Sequence, residues 1–313
     1  MARRKTLRSV RAAAWGLCAR GLAVVGPTAG RRILRLPLRI AGLAGLGARI
    51  RRNLAAAAQH TGAPIDCDAR AVLDHVARQA AEVAFLAHAS PARRQRWLRG
   101  QFRDKDVLPV LRALLEQGRG VILLTAHVGN WEALAAYLAD AGLQGSVVGR
   151  LRENDSIAGW LHAMRLRSGV ETLAQDAPAE QALGVLKQGR LLGLLCDLEV
   201  RRLRGTFVPF LGHPALTMTA PAALARVSGA AILPVRCVID PRNRSGYVLR
   251  AEVPLVWNAE APRSQAQSEL LQGMNDIYSR WILEDPEQWA WYEDRWRTDE
   301  AGWADRMRRV SAS

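Results

Sequence analysis

The apolar run GVILLTA, residues 120–126, is followed by a histidine, His127, and five residues later by a glutamate, Glu132. On one continuous helix that spacing turns the two side chains about 140° apart, so they would not meet. If the run is a strand and Glu132 lies in the first turn of the next helix, the connecting turn can fold one onto the other. A carboxylate that accepts a hydrogen bond from one imidazole nitrogen fixes the second nitrogen as a proton acceptor, and it stabilises the imidazolium formed afterwards. Such a pair can deprotonate a hydroxyl for attack on an acyl carbon. The helix dipole also favours an ionised glutamate in a first turn. The same spacing equally suits a histidine capping a strand end and a glutamate on a solvated helix face.

Other chemistry-bearing residues fall at comparable junctions. Asp197 follows the apolar run RLLGLLC, and Arg150 follows GSVVG. In α/β sheets ligands bind at the carboxyl ends of strands, which is where these residues are expected. Asn130, in the turn between His127 and Glu132, and Arg150 are candidate substrate contacts; a cap for Asp197 and a solvated face for Arg150 are the alternatives. No G-x-S-x-G, H-E-x-x-H or G-x-x-x-x-G-K-S/T occurs, and GLAGLG at 42–47 lacks both the dinucleotide spacing and a preceding strand. His60, His75, His88, His162 and His213 show no ligand spacing, so neither metal nor cofactor is expected.

The elements that must position these residues alternate. Helices are read in DARAVLDHVARQAAEVAFLAHA and DVLPVLRALLEQGRG. GVILLTA then precedes the helix WEALAAYLADAG, with Trp131, Leu134 and Leu138 as its buried stripe. GSVVGR precedes SIAGWLHAMRLRSG, VETLA precedes PAEQALGVLKQG, and RLLGLLCD leads to GTFVPFLG. TMTAPAALARVSG precedes AAILPVRCVID and GYVLRAEVPLVW, and a last helix near 263–284 leads into a Trp-rich tail. The pattern predicts an α/β fold with a mixed, partly parallel sheet flanked by helices. Trp289 and Trp291 alternate as on an extended segment, one facing inward and the other out, and tryptophan beside arginine suits a membrane interface or a groove mouth.

The net charge of +15 belongs to one end of the chain. Residues 1–52 carry 13 Lys and Arg and no acid, the first acidic residue being Asp66; the remainder carries 31 bases against 29 acids. A nearly neutral body argues against a nucleic-acid partner. Arginines interleaved with Leu, Ile and Trp suit a segment lying in an anionic membrane interface, since no uncharged run is long enough to span. A basic arm packed on the body is the alternative. Residues 1–60 are read as a membrane-associating arm and 61–313 as the catalytic domain. Four dispersed cysteines fit small core residues in a reducing compartment.

H-V-G-N-W-E matches the H-x4-D/E motif of the glycerolipid acyltransferase superfamily, and its N-W-E form resembles the lipid A late acyltransferases, the lauroyl and myristoyl transferases. The resemblance continues in CDLE, in GTFVPFLGHPALTMTAPAALARVSGAAILPV and in DPEQWAWYEDRWR, in the family's order from about residue 118 onward. It implies a glycerolipid-acyltransferase-like fold at the cytoplasmic face of the inner membrane. It also implies transfer from an acyl carrier protein thioester to a hydroxyl of a membrane glycolipid, a lipid A precursor. His127 is then the general base, oriented by Glu132. Arg165 aligns with an active-site arginine, Arg167 being the match if the register slips, and Asp197 matches the aspartate of a D-Q motif whose glutamine is replaced by Leu198. Amides of the 128–131 turn or Arg165 would stabilise the oxyanion. The rival readings are a lysophospholipid or mannosylated-lipid acceptor, or a non-catalytic membrane-surface module.

Overall fold

A computed structural model of the chain describes residues 16–104, 106–151, 156–199, 205–242 and 244–303. The N-terminal part is helical: α1 over 16–25, α2 (Pro27–Ala41), a π-helical turn (Gly42–Leu46) and α3 (Gly47–Thr61). Then come α4 (Ala69–His88), α5 (Pro91–Gln101), β1 (Phe102–Arg103) and α6 (Val107–Leu115). The alternating region runs β2 (Val121–Thr125), α7 (Trp131–Asp140), β3 (Gly145–Gly149), α8 (Ser156–Arg167), β4 (Glu171–Ala174), α9 (Ala179–Lys187) and β5 (Leu191–Leu195). It is followed by β6 (Gly205–Phe210), β7 (His213–Met218), α10 (Ala220–Ser228), β8 (Ala231–Ile239), β9 (Tyr247–Ala251) and α11 (Arg263–Glu284).

Seven strands form one sheet in the order β1-β9-β8-β2-β5-β3-β4, parallel except where β9 runs antiparallel to β8. The mixed, mostly parallel sheet agrees with the alternation in the sequence. β6 and β7 form a separate antiparallel pair. The central strand VILLT is buried along its whole length, because helices cover both faces. Ile122 and Leu124 join a core with α3, α9, α10 and α11, whereas Val121 and Leu123 point into the core under α5, α6, α7 and α8. That two-residue alternation is what a strand between two helical layers requires.

The arm is not detached in its described part. α3 places Ile50, Leu54 and Ala57 in the same core as β2 and β5. α2 lies along α4, with Arg35 and Arg39 both paired to Asp74. The residues past Ala41 therefore build the body as well as precede it. No helix of the described residues is long and apolar enough to cross a membrane.

The Trp-rich segment also differs from expectation. Trp289 and Trp291 are both buried, 1% and 0% exposed, and meet edge to face at 4.6 Å, with Trp281 equally buried beneath them. The segment is extended, but α3 covers its outer side: Asn53 Nδ2 donates to the carbonyls of Trp291 and Glu293. Alternation predicts one dry face only when the other is left to solvent.

Candidate active site

The register of β2 and β5 creates the site. Thr125 pairs directly with Leu195, so residues two positions beyond each strand end, His127 and Asp197, emerge side by side. His127 Nδ1 lies 2.9 Å from Asp197 Oδ1, and the His127 amide donates to Asp197 Oδ2 at 2.8 Å. Trp289 adds its indole N–H to the same Oδ2 at 2.8 Å. Asp197 is fully buried. Burial alone would raise its pKa, but the neighbouring imidazole and these donated hydrogen bonds outweigh it and hold the carboxyl below its ordinary value. An ionised Asp197 accepts only, so Nδ1 carries the proton and Nε2 is the nitrogen free to take another.

Glu132 is not the carboxylate that meets His127 Nδ1. Its carboxylate, 5% exposed, is held by Arg165, with Nε on Oε2 at 2.8 Å and Nη2 on Oε1 at 2.5 Å. The physical reason lies in the turn. Glu132 sits in the first turn of α7 and faces α8, whereas His127 is drawn toward β5, the next strand in the sheet. A planar guanidinium also matches both carboxylate oxygens at once, which an imidazole cannot. Arg167, the other register, points away and donates to the Ala87 carbonyl at 2.8 Å.

The turn itself is tightly enclosed. Gly129 has φ +65°, and a Cβ there would lie 1.6 Å from the Cys237 carbonyl oxygen of β8, so only glycine fits. Its N–H donates to the Gln288 carbonyl at 3.1 Å, and the Asn130 N–H is directed at the Cys237 thiol. These two amides are thus occupied, while Arg165 stands on the cavity wall as the other expected oxyanion partner. Asn130, expected as a substrate contact, is fully buried. Its Oδ1 caps α7 by accepting from the Ala133 N–H at 3.0 Å, and its Nδ2 donates to Glu82 Oε2 at 2.7 Å. An N-cap residue must turn its side chain back onto the helix, and that removes it from the cavity wall.

His127, Glu132 and Arg165 open onto a cavity of about 660 Å³. Its lining includes the apolar Leu123, Leu134, Val147, Leu161 and Leu195 and the charged Arg150, Glu199, Glu293, Asp294 and Arg297. Arg150 is thereby brought to the same cavity as the histidine. Trp131 was expected in the buried stripe of α7, but it is only half-buried and stands edge-on to the His127 ring at 4.8 Å. Leu198, in place of the glutamine, presents a hydrocarbon side chain to the cavity.

Trp289 and a set of α4 residues were not read from the sequence as part of the site. His75 Nε2 meets the Gly129 carbonyl at 3.0 Å; burial pushes its pKa down to about 4, so it is neutral and donates. Arg78 and Glu82 form a buried pair at 2.9 Å one turn further on. No local signal singled out this pair, because Arg70/Asp74 and Asp74/Arg78 share its i, i+4 spacing on the same helix.

The sequence family described as bacterial lipid A biosynthesis acyltransferase matches residues 9–298. A phosphatidylinositol mannoside acyltransferase of Mycolicibacterium smegmatis is 27% identical over 292 residues, covering 88% of this chain and 91% of that protein. A lipid A biosynthesis lauroyltransferase of Escherichia coli is 28% identical over 198 residues, 61% of each chain. The Mycobacterium tuberculosis phosphatidylinositol mannoside acyltransferase is 26% identical over 193 residues, and the match spans 58% of its length. With a family match over nearly the whole sequence, the chain belongs to the bacterial lipid A biosynthesis acyltransferase family.

Proposed function

We propose that the protein moves a fatty acyl chain from an acyl carrier protein thioester to a hydroxyl of a membrane glycolipid, a lipid A precursor being the first candidate. The observation that carries this reading is His127, its Nδ1 held by the ionised Asp197, at the wall of a cavity lined by both apolar and charged side chains. His127 Nε2 takes the proton of the acceptor hydroxyl as its oxygen attacks the thioester carbonyl carbon. The carbonyl oxygen becomes an oxyanion beside the Arg165 guanidinium, whose Nη1 lies against Gly149 on the cavity wall. Collapse expels the thiolate, which recovers the proton from the imidazolium. The apolar lining residues suit the acyl chain, and Arg150 and Arg297 suit an anionic headgroup. A mannosylated-lipid acceptor is the second reading, favoured by the relative that aligns over 88% of this chain. Mass spectrometry of total lipids from cells with and without the protein tests both. A difference of one acyl chain on lipid A supports the first, the same difference on a mannosylated lipid supports the second, and no acyl difference on any lipid refutes the reading.

The membrane surface is assigned to the N-terminal helices at the cytoplasmic face of the inner membrane. Leu17, Val24, Ile33, Leu36, Ile40 and Leu43 are exposed there, Leu36 by 66% and Leu43 by 89%, among the exposed arginines Arg20, Arg32 and Arg39. Ala19 and Leu22 of α1 share a small core with Trp160 of α8, and the same turn of α8 lines the cavity through Ala158 and Leu161. A bilayer on this face would therefore adjoin the cavity. Deleting residues 1–52 would also strip Ile50 from the core, a loss of roughly 1.5–3 kcal/mol from that side chain alone. Substitution separates the two effects. Leu36→Asp combined with Ile40→Asp and Leu43→Asp is expected to release much of the protein from membranes without lowering its melting temperature. High salt releases the native protein only in part, because screening leaves the apolar contribution intact. Unchanged membrane association of the triple variant would refute the assignment.

A further inference from the structure

The turn that carries His127 rests on a polar network buried in what is otherwise an apolar layer. Glu82 Oε2 accepts from Asn130 Nδ2 at 2.7 Å and from the Tyr247 hydroxyl, while Oε1 accepts from Arg78 Nε at 2.9 Å. Arg78 also donates to the Tyr247 hydroxyl at 3.1 Å and, from its other nitrogens, to the carbonyls of Arg244 and Ser245 at 2.7 and 2.8 Å. Glu82, Arg78, Asn130 and Tyr247 are each 4% exposed or less. Three elements meet here: α4, the segment leading into β9, and the turn at the head of α7. A buried ion pair is a poor source of stability, since well-packed apolar side chains of the same volume often do as well or better. What such a pair does supply is a single orientation for the groups bonded to it.

That orientation reaches the chemistry in one step. The Asn130 amide can cap Ala133 only if its oxygen faces the helix and its nitrogen faces away. Glu82, an acceptor with no proton to give, enforces this choice. His75 holds the same turn from the adjacent position, by its hydrogen bond to the Gly129 carbonyl. We infer that Glu82, with Arg78 and Tyr247 behind it, is a positioning residue that aims the His127–Glu132 turn through the side chain of Asn130. It touches neither the cavity nor the reacting atoms. The inference rests on the reading of His127 as the base.

A reciprocal exchange tests it. Glu82→Gln alone leaves one acceptor oxygen for three donors, so its NH2 opposes either Arg78 Nε or the Asn130 NH2 and the Tyr247 hydroxyl, and the hold on Asn130 is weakened in both orientations. Asn130→Asp alone sets two carboxylates against each other. Combined, the introduced glutamine donates to the introduced aspartate, which still caps Ala133, and the number of buried carboxylates is unchanged. Each single variant should lose about tenfold to a hundredfold in kcat, the scale of sub-ångström to 1 Å misplacement, with KM for the acyl thioester within about twofold of native. The double variant should return to within about threefold of the native kcat. Native kcat in both single variants overturns the inference, as does a double variant that regains the native melting temperature but not the rate. If the single variants do not fold, Tyr247→Phe removes one donor to Glu82 at constant charge. A severalfold loss of kcat at unchanged KM then supports the inference, and an unchanged kcat refutes it. His127→Ala in the same assay separates the two claims: full activity there refutes the base itself, whereas an inactive His127→Ala beside unaffected Glu82 and Asn130 variants refutes only the positioning role.

Discussion

Asp197→Asn is expected to lower kcat by about 10²–10⁴ while the fold persists. Both oxygens of Asp197 are in use, Oδ1 by the imidazole and Oδ2 by the His127 amide and the Trp289 indole. A carboxamide has only one acceptor. If its oxygen serves the backbone and indole donors, its NH2 faces Nδ1 and the imidazole must adopt the other tautomer, with the proton on Nε2. The base is then already protonated at the nitrogen that should receive the proton. If the amide is reversed, its NH2 opposes two N–H donors and the residue is displaced. Steady-state rates with a thioester donor, alongside melting curves, measure the effect; a native rate would remove Asp197 from the mechanism. The pH dependence of stability carries the matching signature. The folded-state pKa of Asp197 lies below its ordinary value, so its stabilising contribution is complete above the usual carboxylate range and is lost as pH falls through the lowered value. The stability advantage of the native protein over Asp197→Asn should therefore narrow only on strong acidification.

Arg165→Ala has the second large effect, and it acts on stability as well as rate. It leaves the Glu132 carboxylate 5% exposed and without its cation. Removing one partner of a buried pair costs about 3–5 kcal/mol, and access to the cavity places this case near the lower end, about 3 kcal/mol. The rate is expected to fall too, because the proposed mechanism places this guanidinium next to the reacting carbonyl. Arg165→Lys recovers the charge but not the two-pronged contact, so it restores only part of the loss. Arg167→Ala removes one hydrogen bond to the Ala87 carbonyl from an exposed side chain and should change stability by about 0.5 kcal/mol or less. Denaturant titration of the three variants gives the order. Native stability and rate in Arg165→Ala would mean that the pair neither holds α7 to α8 nor serves the reaction.

The strands and helices that carry the site were legible because their patterns are strong. VILLT, LLGLL and AILPVRCVI are apolar runs of strand length between helical stretches, and each became a sheet strand. The placement of His127 and Asp197 at carboxyl ends followed from those runs. Which carboxylate meets the imidazole did not. That depends on the in-register pairing of β2 with β5, 70 residues apart in sequence, whereas the eye is drawn to Glu132 five residues away. Trp289 was legible as a tryptophan but not as the donor to Asp197, since 92 residues separate the two. HPAL was assigned to no element, and Thr217 and Met218 were read with TMTAPAALARVSG, because the strand character of HPALTM lies in the hairpin with β6. The short α5 is too polar to show an apolar stripe: Leu98 is its only buried residue. The arm was legible in charge and composition, but nothing local indicates that Ile50 and Leu54 belong to the core of the body.

The central claim is that His127 is the general base of acyl transfer, and one measurement addresses it directly. Purified native protein and His127→Ala are supplied with acyl carrier protein thioester and the glycolipid acceptor in mixed micelles, and the initial rate of acyl-chain appearance on the acceptor is followed under single-turnover conditions. With the melting temperature of the variant within a few degrees of native, the account expects the rate to fall by about 10²–10⁴. A His127→Ala protein that transfers the acyl chain at the native rate would contradict it.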